Sequence, residues 1–364
     1  MPTIDGVRAS AYEIPTDGEE SDGTLIWSST VLVVVEVDAG GRTGLGYTYA
    51  HQAAATLVTG KLAGIVTGRD ALDVRAAWNA MVHEVRNLGA TGMTAMAISA
   101  VDAALWDLKA RLLEQPLVVV LDAVHDSVPV YGSGGFTSYD DDRLSEQLAG
   151  WVDEGIPRVK LKIGRDPDRD RHRLAVARKA VGDDIDLYAD ANGAYSVRDA
   201  IEWVHVARGE FGVRWMEEPV SSDDLRGLRQ VRRQAPGGID ITAGEYLWNP
   251  WQAEAILHAE AVDCLQLDAT RCLGITGFLT AAALADAHQV DVSAHCAPQQ
   301  SAHVCAVVRR LRHLEYFHDH TRIEAMAFDG VLPVEAGGVL RPDRGSPGNG
   351  LRLRPDALER FRVL

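Results

Sequence analysis

Residues 158–163 read Arg158-Val159-Lys160-Leu161-Lys162-Ile163. In an extended strand successive side chains face opposite ways, so Lys160 and Lys162 share one face and Val159, Leu161 and Ile163 the other. The stretch is one of eight strand-like segments, at 128–133, 158–163, 186–191, 213–217, 240–245, 264–268, 291–295 and 314–317, with amphipathic helical patterns between them. Their starts lie about 20 to 30 residues apart, the repeat of βα units. Eight such strands and seven helices predict a barrel of the triosephosphate-isomerase kind. There both faces of every strand are covered, and the two lysines must line the interior mouth. A doubly wound open sheet needs a glycine-rich phosphate turn. Gly41-x-x-Gly44-x-Gly46 opens no helix and Gly132-Ser133-Gly134-Gly135 misses the dinucleotide spacing, so both read as turns.

Working outward, residues 1–125 read as an α+β domain, 126–320 as the barrel and 321–364 as a glycine- and proline-rich segment returning over the surface. Thr30–Val37 and Arg42–Tyr49 flank the turn Asp38-Ala39-Gly40-Gly41 and predict a hairpin. Helical patterns follow near 51–66, 71–86 and 94–113, the last Ala-rich and apolar on more than one side, hence buried. Between Ile14 and Ser29 an acidic stretch without periodicity reads as a mobile loop.

The 364 residues carry 52 acidic and 36 basic groups, a formal charge of −16, which makes nucleic acid and anionic membrane poor partners. The longest apolar runs, Val31–Val35 and Leu117–Leu121, are far too short to span a bilayer, and the start of the chain has no signal-peptide pattern. Four cysteines without a CxxC pair fit reduced thiols, and the whole reads as a cytoplasmic protein.

In a barrel, polar residues at the carboxyl ends of strands are the catalytic candidates. Here they run Lys160 and Lys162, Asp190 with Asn192, Glu217 with Glu218, Glu245, Asp268, His295 and Glu315. Paired ammonium groups disfavour each other's charge, which predicts one neutral, basic lysine. Asp190, Glu217 and Glu245 come from three successive strand ends and would repel unless a cation joined them; a set of hard oxygen donors favours Mg2+. Asp268 and His295 end adjacent strands, close enough for the carboxylate to fix the imidazole tautomer. An amine base, a cation and a second proton-transfer group suit removal of a proton α to a carboxylate, in a small-molecule carboxylate substrate. His318-Asp319-His320 follows the last strand and reads as loop or pocket material.

On these residues the chain resembles the enolase superfamily, specifically its mandelate racemase-like subgroup, over nearly its whole length. The resemblance implies an α+β capping domain, a modified (β/α)7β barrel and a C-terminal segment completing the cap. It implies that Lys160-Leu161-Lys162 is the Lys-x-Lys motif, with Lys162 moving a proton, and that Asp190, Glu217 and Glu245 bind one Mg2+. It further implies that Asp268 and His295 act as a dyad and that Glu315 hydrogen-bonds a substrate carboxylate oxygen. Muconate-cycloisomerase-like relatives place a lysine at the sixth strand, where Asp268-Ala269-Thr270-Arg271 has none; cycloisomerisation is therefore disfavoured. The leading expectation is an acid-sugar dehydratase. A racemase or epimerase would use the same residues, and a non-catalytic barrel that kept the fold is the contrasting class. Substrate contacts are expected from Asn192, and from Trp27 and Tyr47 in the capping domain. The subgroup also implies a homo-oligomer.

Overall fold

A computed structural model describes residues 1–364, Met1 to Leu364. The chain opens with an antiparallel sheet, β1 (Ile4–Ser21), β2 (Ile26–Ala39) and β3 (Arg42–Tyr49), in that order. The β-branched run of β2 is covered on both faces: Val33, Val35 and Val37 join the main core, while Leu32 and Val34 pack with Ile323, Phe328 and Leu351 from the end of the chain. Helical turns α1 (Ala53–Leu57) and α2 (Ala63–Val66) flank a π-helical turn, and α3 (Val74–Glu84) leads to α4 (Gly92–Leu112). Then α5 (Leu117–Val120) follows Pro116.

Helix α4 is buried along most of its length, as its composition predicts. Two aspartates within it tie the domains together. Asp102 accepts hydrogen bonds from Thr276 N at 2.8 Å and Thr276 Oγ1 at 2.7 Å, while Asp107 accepts from Leu45 N and Asn349 N, each at 2.7 Å. Gly44 and Gly46 are strand residues of β3, a correction to the turn reading. A Cβ there would stand 2.2 and 2.3 Å from the carbonyl oxygens of Ala104 and Ala100, so their spacing reflects close packing on α4.

The acidic stretch is a second correction. It is strand for most of its length: Glu20 pairs with Trp27 and Ser21 with Ile26, after a register shift beyond Pro15. Only the tip, from Asp22 to Leu25, turns, with Asp22 Oδ1 accepting from Thr24 N at 2.6 Å and Leu25 N at 2.7 Å. Pairing with β2 stabilises this arm, so no apolar alternation marks it in the sequence.

Eight parallel strands follow: β4 (Val128–Gly134), β5 (Arg158–Lys162), β6 (Asp186–Asp190), β7 (Trp215–Glu217), β8 (Asp240–Ala243), β9 (Cys264–Leu267), β10 (Asp291–Ala294) and β11 (Leu311–Phe317). Each pairs with the next, and β11 pairs with β4 to close the barrel. The seven intervening helices are α6 (Asp141–Asp153), α7 (Pro167–Val181), α8 (Val197–Phe211), α9 (Leu225–Gln234), α10 (Pro250–His258), α11 (Gly274–Ala287) and α12 (Pro298–Cys305). This is the (β/α)7β order. Inside the lower barrel Tyr131, Tyr188, Trp215 and His313 form an aromatic plug, with the Tyr188 and Trp215 rings stacked at 5.5 Å.

Beyond the barrel, α13 (His318–Ala327) leads to short strands β12 (Phe328–Asp329), β13 (Val339–Leu340) and β14 (Arg352–Leu353). The chain ends against β1, where Ala11 N donates to Leu364 O at 3.2 Å and Val363 N to Ala11 O at 2.9 Å. No helix is long and apolar enough to cross a membrane. All four cysteines are free and buried.

Candidate active site

Two residues above the plug, the same strands turn charged. Register places Lys162 beside Asp190 and Asp190 beside Glu217. Lys160 Nζ lies 2.6 Å from Glu217 Oε2, 2.8 Å from Glu315 Oε1 and 3.4 Å from Asp190 Oδ2; Lys162 Nζ lies 2.5 Å from Asp190 Oδ2. Burial alone would drive both amines neutral, but the carboxylates outweigh it and hold both lysines above their ordinary value. The expected mutual discharge of the lysines is thus overridden in this arrangement, because each ammonium has a carboxylate of its own.

Asp190, Glu217 and Glu245 converge, with one oxygen from each within 4.8 Å of the others. All three are buried; Glu217 Oε1 has no hydrogen-bond partner, and Glu245 Oε2 meets only His295 Nε2, at 3.0 Å. Burial, then the Asp190 charge, pushes Glu217 up to about 8. Buried carboxylate oxygens gathered in this way fit a divalent cation with a preference for hard oxygen donors. Glu218 Oε1 is likewise buried and unpaired beside them, and burial pushes that carboxyl well up.

His295 Nδ1 is 2.7 Å from Asp268 Oδ2, which fixes Nδ1 as the protonated nitrogen and turns Nε2 toward the cavity. Nε2 lies 3.0 Å from Glu245 Oε2 and 3.6 Å from Glu315 Oε2. Burial opposes the charged imidazole, yet Cys296, Glu245, Glu315 and the Asp268 hydrogen bond together raise it well above its ordinary value.

These groups open into a cavity of about 750 Å³ between the barrel mouth and the capping sheet. Lys162, Asn192, Glu245, His295 and Glu315 line it, as does Trp27, whose Nε1 donates to the buried Glu20 Oε2 at 2.8 Å. Lys160, Asp190, Glu217 and Asp268 stand behind that wall, each at most 1% exposed. Tyr47 is a correction: it does not line the cavity. Its hydroxyl donates to Glu324 Oε1 at 2.6 Å and accepts from Gln300 N at 3.1 Å, inside the core between cap and barrel. Tyr49, two residues on and on the same strand face, is the tyrosine that reaches the cavity, stacked on His320 at 3.4 Å.

Arg271 and Cys296, which no motif marks in the sequence, also line the wall. Of the His318-Asp319-His320 run, only His320 faces the cavity; His318 turns outward to Asp17 at 2.9 Å. Gly23, at the arm's tip, is a further missed residue. A Cβ there would stand 2.3 Å from Ala191 O and 2.9 Å from Ile163 O, so only glycine lets the tip lie against the loops after β5 and β6. The tip is fastened by Thr137 N to Ser21 O at 2.8 Å, Ser21 Oγ to Thr137 Oγ1 at 2.6 Å, Thr137 Oγ1 to Asp22 O at 2.9 Å and Ser138 Oγ to Glu19 O at 2.7 Å.

An eight-stranded parallel barrel under an antiparallel capping sheet, with ionisable residues closing successive strands, defines the enolase-superfamily class of barrel. Residues 23–121 match the mandelate racemase / muconate lactonizing enzyme N-terminal domain, and residues 143–357 match the enolase C-terminal domain-like family. The chain belongs to the mandelate racemase / muconate lactonizing enzyme family. It is 51% identical to a solved mandelate racemase/muconate lactonizing enzyme-like protein from Rubrobacter xylanophilus, with a TM-score of 0.97 over 99% of this chain and 100% of that one. A 3,6-anhydro-alpha-L-galactonate cycloisomerase from Streptomyces coelicolor is 32% identical, with 99% of each chain covered. The L-talarate/galactarate dehydratase of Salmonella typhimurium is 29% identical over 86% of this chain and 81% of its own. Its structure liganded with Mg and L-lyxarohydroxamate superposes with a TM-score of 0.90 at 27% identity, over 100% of this chain and 93% of that one. Acid-sugar dehydratases and cycloisomerases thus both stand among its relatives.

Proposed function

We propose that this protein removes the proton α to the carboxylate of an acid sugar and expels the oxygen at the β carbon, with Mg2+ held by Asp190, Glu217 and Glu245. The observation that carries this reading is a pair of proton-transfer groups on well-separated strands of one ring. Lys162 on β5 and His295 just after β10 both line the cavity, and Glu245 of the carboxylate trio reaches the same wall. When bound, Mg2+ would polarise the substrate carboxylate and draw Asp190 and Glu217 off the two ammonium groups, easing loss of the Lys162 proton.

The chain's residues then divide the work. Lys162 takes the α-proton; for the opposite configuration the roles reverse, with His295 neutral as the base and Lys162 protonated. Lys160, fully buried behind the wall, supplies fixed positive charge to the developing enediolate. Glu315 accepts from Ser133 Oγ at 2.5 Å and pairs with Lys160 through Oε1, leaving Oε2, which donates to a substrate carboxylate oxygen when it carries a proton. His295, kept protonated by its acidic neighbours and steered by Asp268, gives a proton to the departing β-oxygen. Trp27, Asn192 and the arm's tip bound the space left for the rest of the sugar.

A second reading rests on the near-full-length likeness to a cycloisomerase. If the departing oxygen is a free hydroxyl, water leaves and the enzyme is a lyase. If it belongs to a ring or lactone of the same substrate, the identical cleavage yields an isomer. The test is incubation with Mg2+ in D2O and a panel of acid sugars, their lactones and their anhydro acids, followed by NMR and 2-keto product assay. A 2-keto-3-deoxy acid from a hydroxy acid supports the dehydratase; one from a lactone or anhydro acid alone supports the cycloisomerase. Deuterium exchange with no new product would replace both by a racemase or epimerase, and no exchange with any substrate overturns the reading.

A further inference from the structure

One cluster on the cavity wall has no part in that chemistry as a set. Cys296 follows His295 directly, and both face Glu315 on the neighbouring strand. Cys296 Sγ lies 3.2 Å from His295 Nε2 and 3.4 Å from Glu315 Oε2, and His295 Nε2 lies 3.6 Å from Glu315 Oε2. A tetrahedral zinc ion holding one nitrogen, one sulfur and one oxygen at about 2.0–2.3 Å separates those atoms by about 3.4–3.6 Å. The three donors already stand close to one face of that tetrahedron.

Their other atoms are committed in the way such a site needs. Asp268 holds Nδ1–H of His295 at 2.7 Å, the carboxylate–histidine arrangement that presents Nε2 to a metal. Glu315 Oε1 is taken by Lys160 and Ser133, leaving Oε2 on the cluster. All three residues line the cavity, and Glu245 Oε2, 3.0 Å from Nε2, stands beside the fourth position. The donor set also differs in kind from Asp190, Glu217 and Glu245: a thiolate and an imidazole select a zinc-like ion over Mg2+.

We propose that His295, Cys296 and Glu315 form a second metal site, selective for Zn2+ and similar thiophilic ions, whose occupation shuts the active site. Binding forms Zn–N, Zn–S and Zn–O bonds while the Cys296 thiol proton, and the Nε2 proton where present, leave to solvent. It ties up the Nε2 lone pair and Glu315 Oε2, so no proton passes through His295 while the ion stays.

Co2+ as a spectroscopic stand-in tests this on the Mg2+-saturated protein, without any substrate. One equivalent of Co2+ should give a near-ultraviolet thiolate-to-cobalt band and the intense visible absorption of a tetrahedral ion. Excess Mg2+ should leave the band in place, and Zn2+ should abolish it by replacing the cobalt. Cys296→Ser and Cys296→Ala should each lose the band and weaken Zn2+ binding more than about 100-fold by calorimetry. Circular dichroism and retained Mg2+ binding would verify their fold. A weak octahedral spectrum alone, a band that survives in both variants, or a band removed by Mg2+ overturns the site. The wild-type spectrum decides the matter even if both variants fail to fold.

Discussion

The barrel interior has two storeys built from the same strands. Below, Tyr131, Tyr188, Trp215 and His313 pack ring against ring. Above, one two-residue stride along each strand turns Tyr131 into Ser133, Tyr188 into Asp190, Trp215 into Glu217 and His313 into Glu315. Period-two alternation keeps both sets pointing inward, so the difference lies only in what each storey meets. The plug closes the barrel from beneath, and the charged ring can meet water and ligand only through the cavity above. Ring packing thus occupies one storey and the carboxylates the other. A single hydrogen bond from Trp215 Nε1 to Glu217 Oε2, 3.1 Å long, joins them.

Substitutions can break this division. Lys162→Ala should lower turnover by about 10²–10⁴-fold while the melting temperature stays close to that of the wild type, measured by α-proton exchange and calorimetry. A comparable loss of stability would mean that the upper storey holds the fold as well. Trp215→Ala should instead destabilise the protein by about 3–5 kcal/mol in denaturant titration. Trp215→Phe keeps most of the packing, loses only the bond to Glu217, and should cost about 1 kcal/mol.

The two storeys also differ in protons. Burial, then Arg312, holds His313 well below the ordinary histidine value. Its imidazole should therefore stay neutral from pH 8 to pH 5 by NMR. The unfolded chain binds a proton there below about pH 6.5 and the folded chain does not, so stability falls with acid, by up to about 1.4 kcal/mol per pH unit. A normal titration of His313 would show that water reaches the plug. The smallest effect is expected at the rim. Gly23→Ala should lift the tip from Ala191 O and Ile163 O, raising KM about tenfold and changing global stability by less than about 1 kcal/mol.

The sequence exposes the upper storey well, because charge at a strand end stands out against covered apolar strands. Lys160, Asp190, Glu217, Glu245, Asp268, His295 and Glu315 stand out in the sequence, and the fold gathers them at one mouth. The lower storey reads as ordinary strand core: the two-residue stride back from Asp190 and Glu217 gives Tyr188 and Trp215 their face, but not the packing of their rings. Tyr47 and Tyr49 share one strand face, and which one reaches the cavity depends on how the capping sheet lies on α13. The acidic arm gave no pattern because its order comes from β2, and Gly23 drew no notice because its neighbours are more than a hundred residues away in the chain. Asp102 and Asp107 look like defects in an apolar helix until Thr276, Leu45 and Asn349 arrive from elsewhere.

The fastening of the arm to Thr137 and Ser138 sets a clock as well as a shape. Its four hydrogen bonds, at about 0.5–1.5 kcal/mol each, make release of the tip uphill by about 2–6 kcal/mol. The open form then occupies from about 3% down to under 0.01% of molecules. If passage to the cavity requires that opening, ligand association would slow by the same fraction, a dependence that stopped-flow binding would read.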